Sequence, residues 1–219
     1  MGKKFSEIGL DKSVQHIGVL LEKYDTANYP KYELPKGLKF STYKAGIENE
    51  WAQLQYEVEQ MDSLEQGRTE FAKCFLNRYD DMMQRCIFVL NQEDKLIGTG
   101  SMWDGTTFGD VRQRIHWGAV SPTYQGGGIC CALITKALDI YNKLGYKGYI
   151  YIASQTWSYK AINIYKKFGF EPYYGKKPQK WIARNLVSGK FEPWNYEEKN
   201  EEAWKIINEK IDLYERQKK

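Results

Sequence analysis

The stretch from Arg112 to Tyr141 constrains the fold more than any other part of the chain. Residues 112–120 read as a strand, followed by a short turn through Pro122 and three consecutive glycines, Gly126, Gly127 and Gly128. Ile129, Leu133, Ile134, Ala137, Leu138 and Tyr141 then recur at helical spacing. A strand that passes through glycines directly into a helix belongs to architectures that cover a sheet with helices. The first turn of a helix carries N–H groups without intrahelical partners and a partial positive charge. Glycines allow an anion to approach those groups unobstructed, so the segment is in principle a diphosphate cradle. Taken alone, a glycine run is equally compatible with a surface turn. No Lys-Ser/Thr pair follows the glycines, which excludes a P-loop, and Ile129, Cys130 and Cys131 break the spacing a dinucleotide fingerprint needs.

The flanking segments supply the rest of a mixed sheet. Leu38, Phe40 and Thr42 alternate, predicting a strand at 38–43; Trp51, Leu54, Val58 and Met61 mark a helix face, and Phe71, Cys74 and Phe75 a second. Cys86–Leu90 is a compact apolar run, read as a buried strand that turns at 91–94 and returns over Leu96–Trp103. After a helix ended by Gly145, residues 149–153 are apolar on both faces, as in a covered central strand. Ser158 is placed to cap a helix with Ala161, Tyr165 and Phe168 on one face, closed by Gly169. The order β, α, α, β, β, β, α, β, α, β, α implies an α/β fold: a mixed central sheet with helices on both faces.

Residues 1–35 read as an N-terminal arm, in which Ile17, Val19 and Leu21 suit a short strand and 11–23 alternatively a helix. The main domain is expected over 36–185 and a helical extension over 186–219. There Trp204, Ile207, Ile211 and Tyr214 form an amphipathic face that must be buried on the domain or on a second copy, as in a homodimer.

Composition excludes several classes. A formal net charge of +4 with scattered Lys and Arg gives no nucleic-acid footprint. The four cysteines and two histidines (His16 and His116) have no metal-ligand spacing, so no metal is expected. No apolar run reaches the roughly 20 residues of a membrane span, and Met1–Lys12 lacks a signal-peptide core, so a cytoplasmic location with reduced thiols is expected.

Two motifs carry a resemblance to the GNAT acetyltransferase family. Gln125-Gly126-Gly127-Gly128-Ile129-Cys130 resembles its pyrophosphate loop, Gln/Arg-x-x-Gly-x-Gly/Ala, with Cys130 where Gly or Ala is usual. Val120-Ser121-Pro122-Thr123-Tyr124 fits the phrase that precedes that loop. Downstream, Ala161 to Phe170 matches Ala-x-x-x-Tyr-x-x-x-Gly-Phe in full, with Ser158 where the family often has Asn. The resemblance covers about 86–174 strongly and 35–85 in element order only.

It implies the acyl-CoA N-acyltransferase fold, with a strand split between 112–120 and 147–153, and acetyl-CoA as co-substrate. Pantetheine would pair with Gly118, Ala119 and Val120 like an added strand, Gly118 would allow a bulge, and an amide N–H there would hold the oxyanion. Residues 125–130 would hold the pyrophosphate, with Ser158 at the cofactor contact. Tyr165 stands where the family places its general acid, and a phenol titrating near ~10 is protonated at neutral pH; as a residue it is equally a core aromatic.

His116, two residues before Gly118 and so on the same face of a regular strand, is the candidate base. Asp104 is the alternative, Glu59 and Asp62 could attract a cationic acceptor, and Trp103 and Trp157 could wall its pocket or belong to the core. Cys130 and Cys131 raise a thiol-nucleophile alternative at a helix start. The acceptor would be the amine of a small molecule or a peptide. A non-catalytic acyl-CoA-binding module is the rival reading, and a nucleotide-binding protein a third.

Overall fold

The structure is a computed structural model that describes residues 9–176, 178, 182–193 and 199–217. The strands are β1 (Gly18–Lys23), β2 (Lys39–Ser41), β3 (Cys86–Leu90), β4 (Leu96–Gly105), β5 (Arg112–Val120), β6 (Ile150–Gln155), β7 (Glu171–Pro172), β8 (Ile182–Arg184) and β9 (Phe191–Pro193). The helices are α1 (Ile47–Glu57), α2 (Leu64–Cys74), α3 (Tyr79–Arg85), α4 (Ile129–Lys143), α5 (Tyr159–Lys167) and α6 (Asn200–Arg216). The fold is mixed α/β, with a seven-stranded sheet in the order β2-β3-β4-β5-β6-β1-β7 and a separate hairpin β8-β9. The sheet mixes antiparallel ladders, such as β3 with β4, and a parallel pairing of β5 with β6.

The chain divides into two compact units. The first takes Lys31–Trp103 and Ile115–Tyr146. Its core gathers Trp51, Leu54, Phe71, Phe75, Met82 and Phe88, all at most 2% exposed. Trp51 meets Phe71 and Phe75 edge-on at 5.3 and 6.2 Å, the geometry aromatic quadrupoles favour. Ser63 starts α2 by accepting from Gln66 N–H, while the Gln66 side chain accepts from Asp62 N–H. This reciprocal arrangement satisfies two donors at the helix start.

The short α3 is absent from the sequence reading because its buried members are Met82 and a cation, Arg85. Arg85 is satisfied by donating to the Met102 carbonyl at 2.8 Å and by lying over the rings of Trp103 and Tyr146. Trp103, 5% exposed and packed on Phe75, is a core residue rather than a pocket wall.

The second unit takes the described residues of Leu10–Pro30, Asp104–Arg114 and Lys147–Lys219. The segment expected as an arm contributes an interior strand. β1 runs antiparallel to β6, from Gly18↔Gln155 to Lys23↔Ile150, and also to β7. All six of its residues are buried, including Glu22 and Lys23, so the rival helix over 11–23 is excluded.

α6 buries Ala203, Trp204, Ile207 and Ile211 against α5 and β1 within this unit, where Lys210 pairs with Asp11 at 2.9 Å. Its amphipathic face is thereby covered. Trp157 is 8% exposed, and its indole N–H donates to the Val14 carbonyl, tying down the chain before β1. It too is core rather than a pocket wall.

His16 stands edge-on to Trp157 at 4.6 Å, and burial lowers its pKa from 6.5 to about 4. A histidine kept neutral in the native state stabilises fully only above its unfolded value. Stability is therefore lost as pH falls from about 6.5 through about 4, where the unfolded chain binds the proton first. Discounted for partial exposure, the loss is about 2 kcal/mol. Denaturant titrations at pH 7 and pH 4.5 are expected to show a fall that is smaller by that amount in His16→Gln.

Candidate active site

β5 ends at Val120, where Ser121 N–H donates to the Ile97 carbonyl at 2.8 Å and ties the strand end to β4. A 3-10 turn, Pro122–Tyr124, follows, with Tyr124 N–H bonded to the Ser121 carbonyl at 2.8 Å. The Tyr124 hydroxyl accepts from the Asn91 side chain at 3.2 Å, a link to the β3–β4 turn. Gly126 and Gly128 have φ of 78° and 88°, left-handed values that glycine adopts without a Cβ penalty. Gly126, Gly127 and Gly128 are all exposed.

Gly128 is the N-cap of α4 and has no capping side chain; no acidic residue occupies the first turn. Ala132 N–H donates to the Gly128 carbonyl at 3.1 Å. The N–H groups of Gly128, Ile129 and Cys130 precede that bond and have no helical carbonyl one turn behind them.

The helix is anchored by what it buries. Ile129, Ala132, Leu133, Ala137 and Leu138 are at most 6% exposed, so Ile129 can meet a ligand only through its backbone. Gly98 on β4 permits this seat: a Cβ there would stand 3.2 Å from the Ile129 side chain and 3.3 Å from that of Val89. The sequence signal was a glycine inside a strand pattern, a mark of close approach.

Gln125 takes a different part from the one expected of a phosphate ligand. Its amide nitrogen donates back to the Val120 carbonyl at 2.9 Å, pinning the loop to the strand end. That carbonyl is thus engaged with the loop. The Cys130 thiol is pushed up to about 12 by burial, with the neighbouring Cys131 adding to the effect. It is protonated at neutral pH, which removes the basis for a Cys130 thiolate nucleophile.

On β5 the irregularity falls at Trp117 rather than at Gly118. Trp117 has φ 49°, left-handed and rare for a bulky residue, while Gly118 is exposed. The alternation that the expected shared face of His116 and Gly118 relies on is interrupted at the left-handed Trp117 between them. His116 is held by its carbonyl, which accepts from Ser101 Oγ at 3.1 Å, and its ring lies 5.0 Å from that of Trp117.

Gln55 of α1 was not singled out from sequence. It is 0% exposed, and its amide nitrogen donates to the Trp117 carbonyl at 3.2 Å. Gln55 Oε1 and Trp117 Nε1 are both buried without a hydrogen-bond partner, each costing about 1–3 kcal/mol. The only sequence signal was an amide one turn after Trp51, on the apolar face of α1.

In the second unit, Ser158 precedes α5 but makes no capping bond; its hydroxyl accepts from the Gln155 side chain at 2.8 Å. The helix is entered through a 3-10 turn, Thr156–Ser158, and Ser158 has φ −97° and ψ 24°, away from the extended geometry a side-chain cap uses. Tyr165 is half-buried in the last turn, its ring 6.3 Å from Phe170. The spacing of its motif has a local cause. Gly169, with φ 78°, donates to the Lys166 carbonyl, and Phe170 N–H donates to the Tyr165 carbonyl at 3.1 Å. That pair of bonds is the Schellman closure of α5.

The Asp104 carboxylate accepts from the Gln113 side chain at 2.8 Å. Glu59 and Asp62 are exposed. The structure thus brings the loop 125–130 and Gly118–Val120 together on the first unit, and places Ser158 and Tyr165 at the two ends of α5 on the second. Among the described residues no three His, Cys, Asp or Glu side chains cluster as metal ligands, and no helix is long and apolar enough to cross a membrane.

Comparison with known proteins places this mixed α/β sheet and its glycine-led helix in a class. The model of the acetyltransferase (GNAT) family matches residues 49–170. The chain belongs to the GNAT acetyltransferase family. Solved structures share the fold. A GCN5-related N-acetyltransferase from Sphaerobacter thermophilus aligns with a TM-score of 0.56 at 16% identity, over 75% of this chain and 50% of that one. A protein from Pyrococcus horikoshii OT3 aligns with a TM-score of 0.52 at 22% identity, over 64% of this chain and 93% of that one. The chain therefore spans about half the length of the Sphaerobacter protein. No curated protein sequence matches it.

Proposed function

We propose that the protein transfers an acetyl group from acetyl-CoA directly to a primary amine, of a small molecule or a peptide, in a ternary complex. The observation that carries this reading is the exposed loop Gly126–Gly128, with two left-handed glycines, leading into an α4 that has neither a capping side chain nor an acidic first turn. Such a helix start accepts a diphosphate through backbone N–H groups, and the family match covers it. Pantetheine pairs along Gly118–Val120.

The amine attacks the thioester carbonyl and the Gly118 N–H donates to the developing oxyanion. The collapsing intermediate expels the CoA thiolate, which takes a proton from a general acid, a role the family resemblance assigns to the Tyr165 hydroxyl. His116 is proposed as base through its place on β5 alone. Cys130 and Ser158, which depart from the family pattern, are the observations that favour the second reading, an acyl-CoA-binding module without transfer.

The test is CoA-thiol release from acetyl-CoA with a panel of amines, alongside the melting temperature with and without CoA. Amine-dependent release supports transfer. A melt raised by CoA with no release from any amine favours the binding module, and a melt unmoved by CoA removes both.

A further inference from the structure

We infer that Gln55 is a positioning residue for the transfer step, aiming the Gly118 N–H through the peptide it shares with the Trp117 carbonyl. This rests on the acetyl-transfer reading. A peptide group is planar and trans, so the Trp117 carbonyl and the Gly118 N–H are opposite ends of one rigid plate. Fixing the oxygen fixes the direction of the N–H.

The oxygen is fixed by Gln55 Nε2 at 3.2 Å. Gln55 is itself immobilised: it is 0% exposed, and its own carbonyl accepts from both Gln60 N–H at 2.8 Å and Met61 N–H at 3.2 Å at the end of α1. The plate is one that needs holding. Trp117 has φ 49°, a left-handed conformation that a bulky side chain leaves unless its surroundings enforce it. Its ring is braced by Trp51, edge-on at 5.7 Å, and its carbonyl by Gln55.

Packing does not explain the residue. Gln55 shares the buried face of α1 with Trp51 and Leu54, where an apolar side chain of the same volume would serve. The glutamine leaves its Oε1 buried and unpaired, and the Trp117 indole N–H is likewise orphaned. A buried amide with one unmet end, retained on an apolar helix face, marks a position where the other end is needed.

The experiment compares the parent with Gln55→Met and Gln55→Glu. Methionine keeps the volume, removes the unpaired oxygen and cannot hold the carbonyl. We expect its melting temperature to equal or exceed that of the parent and its kcat to fall roughly tenfold or more, with KM for acetyl-CoA within about twofold. Hydrogen exchange at the Gly118 amide, followed by NMR, is expected to accelerate. In Gln55→Glu the carboxyl can donate only when protonated, so the ratio of variant to parent kcat should rise as pH falls. A Gln55→Met protein with parental kcat, or one that melts lower while keeping parental kcat per folded molecule, overturns the inference. If the parent transfers no acetyl group to any amine, the underlying reading fails. Gly118 exchange then still decides the clamp, and an unchanged rate overturns it.

Discussion

Gly128→Val is expected to bind CoA at least a hundredfold more weakly than the parent while remaining folded. Gly128 has φ 88°, and a Cβ built there meets nothing within 4 Å. The cost is therefore conformational rather than steric, about 1–3 kcal/mol for a β-branched residue held left-handed. The chain escapes that cost by turning the loop, which redirects the N–H groups that precede the first helical bonds. Losing an anion cradle of this kind removes about 3 kcal/mol of binding, a factor of roughly one hundred.

Gly127→Ala is the companion. Gly127 has no left-handed φ, and its Cβ would sit 3.4 Å from the Tyr124 carbonyl, an ordinary contact. This variant should melt with the parent, yet carry a methyl group on the exposed face of the loop and show a raised KM for acetyl-CoA. Calorimetric titration with CoA checks both. Parental affinity in Gly128→Val would mean that the diphosphate binds elsewhere.

Tyr165→Phe is expected to lower kcat by roughly 10²–10³ with little change in KM or melting temperature. The ring remains to pack near Phe170, and the Tyr165 carbonyl still receives the Phe170 N–H, so the closure of α5 is untouched. Only the hydroxyl is lost. If its work is to protonate the departing thiolate, the deficit should shrink with an acyl donor whose thiol is more acidic and leaves without help. A deficit independent of the leaving group would assign the hydroxyl to binding. Parental kcat would return Tyr165 to the core. Steady-state kinetics with two thioester donors separates these outcomes.

The legible parts of the fold were those in which burial alone sets the residue type. β3 and β5 have the bounds expected of them, and α4 follows the helical period of its apolar face. The failures occur where a polar group is buried for a specific partner. Arg85 hid α3, because a stacked and hydrogen-bonded guanidinium reads as a surface residue. β1 falls in the segment read as an arm, although every position in it, Glu22 and Lys23 included, is covered.

The glycine loop was legible because left-handed backbone selects glycine. The kink at Trp117 was not, since a tryptophan at φ 49° is stabilised by Trp51 and Gln55 from a helix more than sixty positions earlier in the chain. Ser158 was placed correctly but misread: the 3-10 entry to α5 turned its hydroxyl toward Gln155 instead of the helix amides.

The position of β1 has a consequence for synthesis. Of the described strands it is made first, yet both strands it lies between, β6 and β7, are made more than a hundred residues later. Until then Val19, Leu20 and Leu21 have no ladder to join, and an apolar segment waits in a nascent chain. β3 and β4, by contrast, form a hairpin as soon as both emerge. The family match begins at Asn49, so a fragment cut to that boundary would lose the strand that fills the place between β6 and β7. Two unsaturated edges would face each other across the gap, and such edges recruit strands from other chains. A shortened protein of this kind should aggregate on expression, and a peptide carrying residues 10–30, supplied in trans, should restore it.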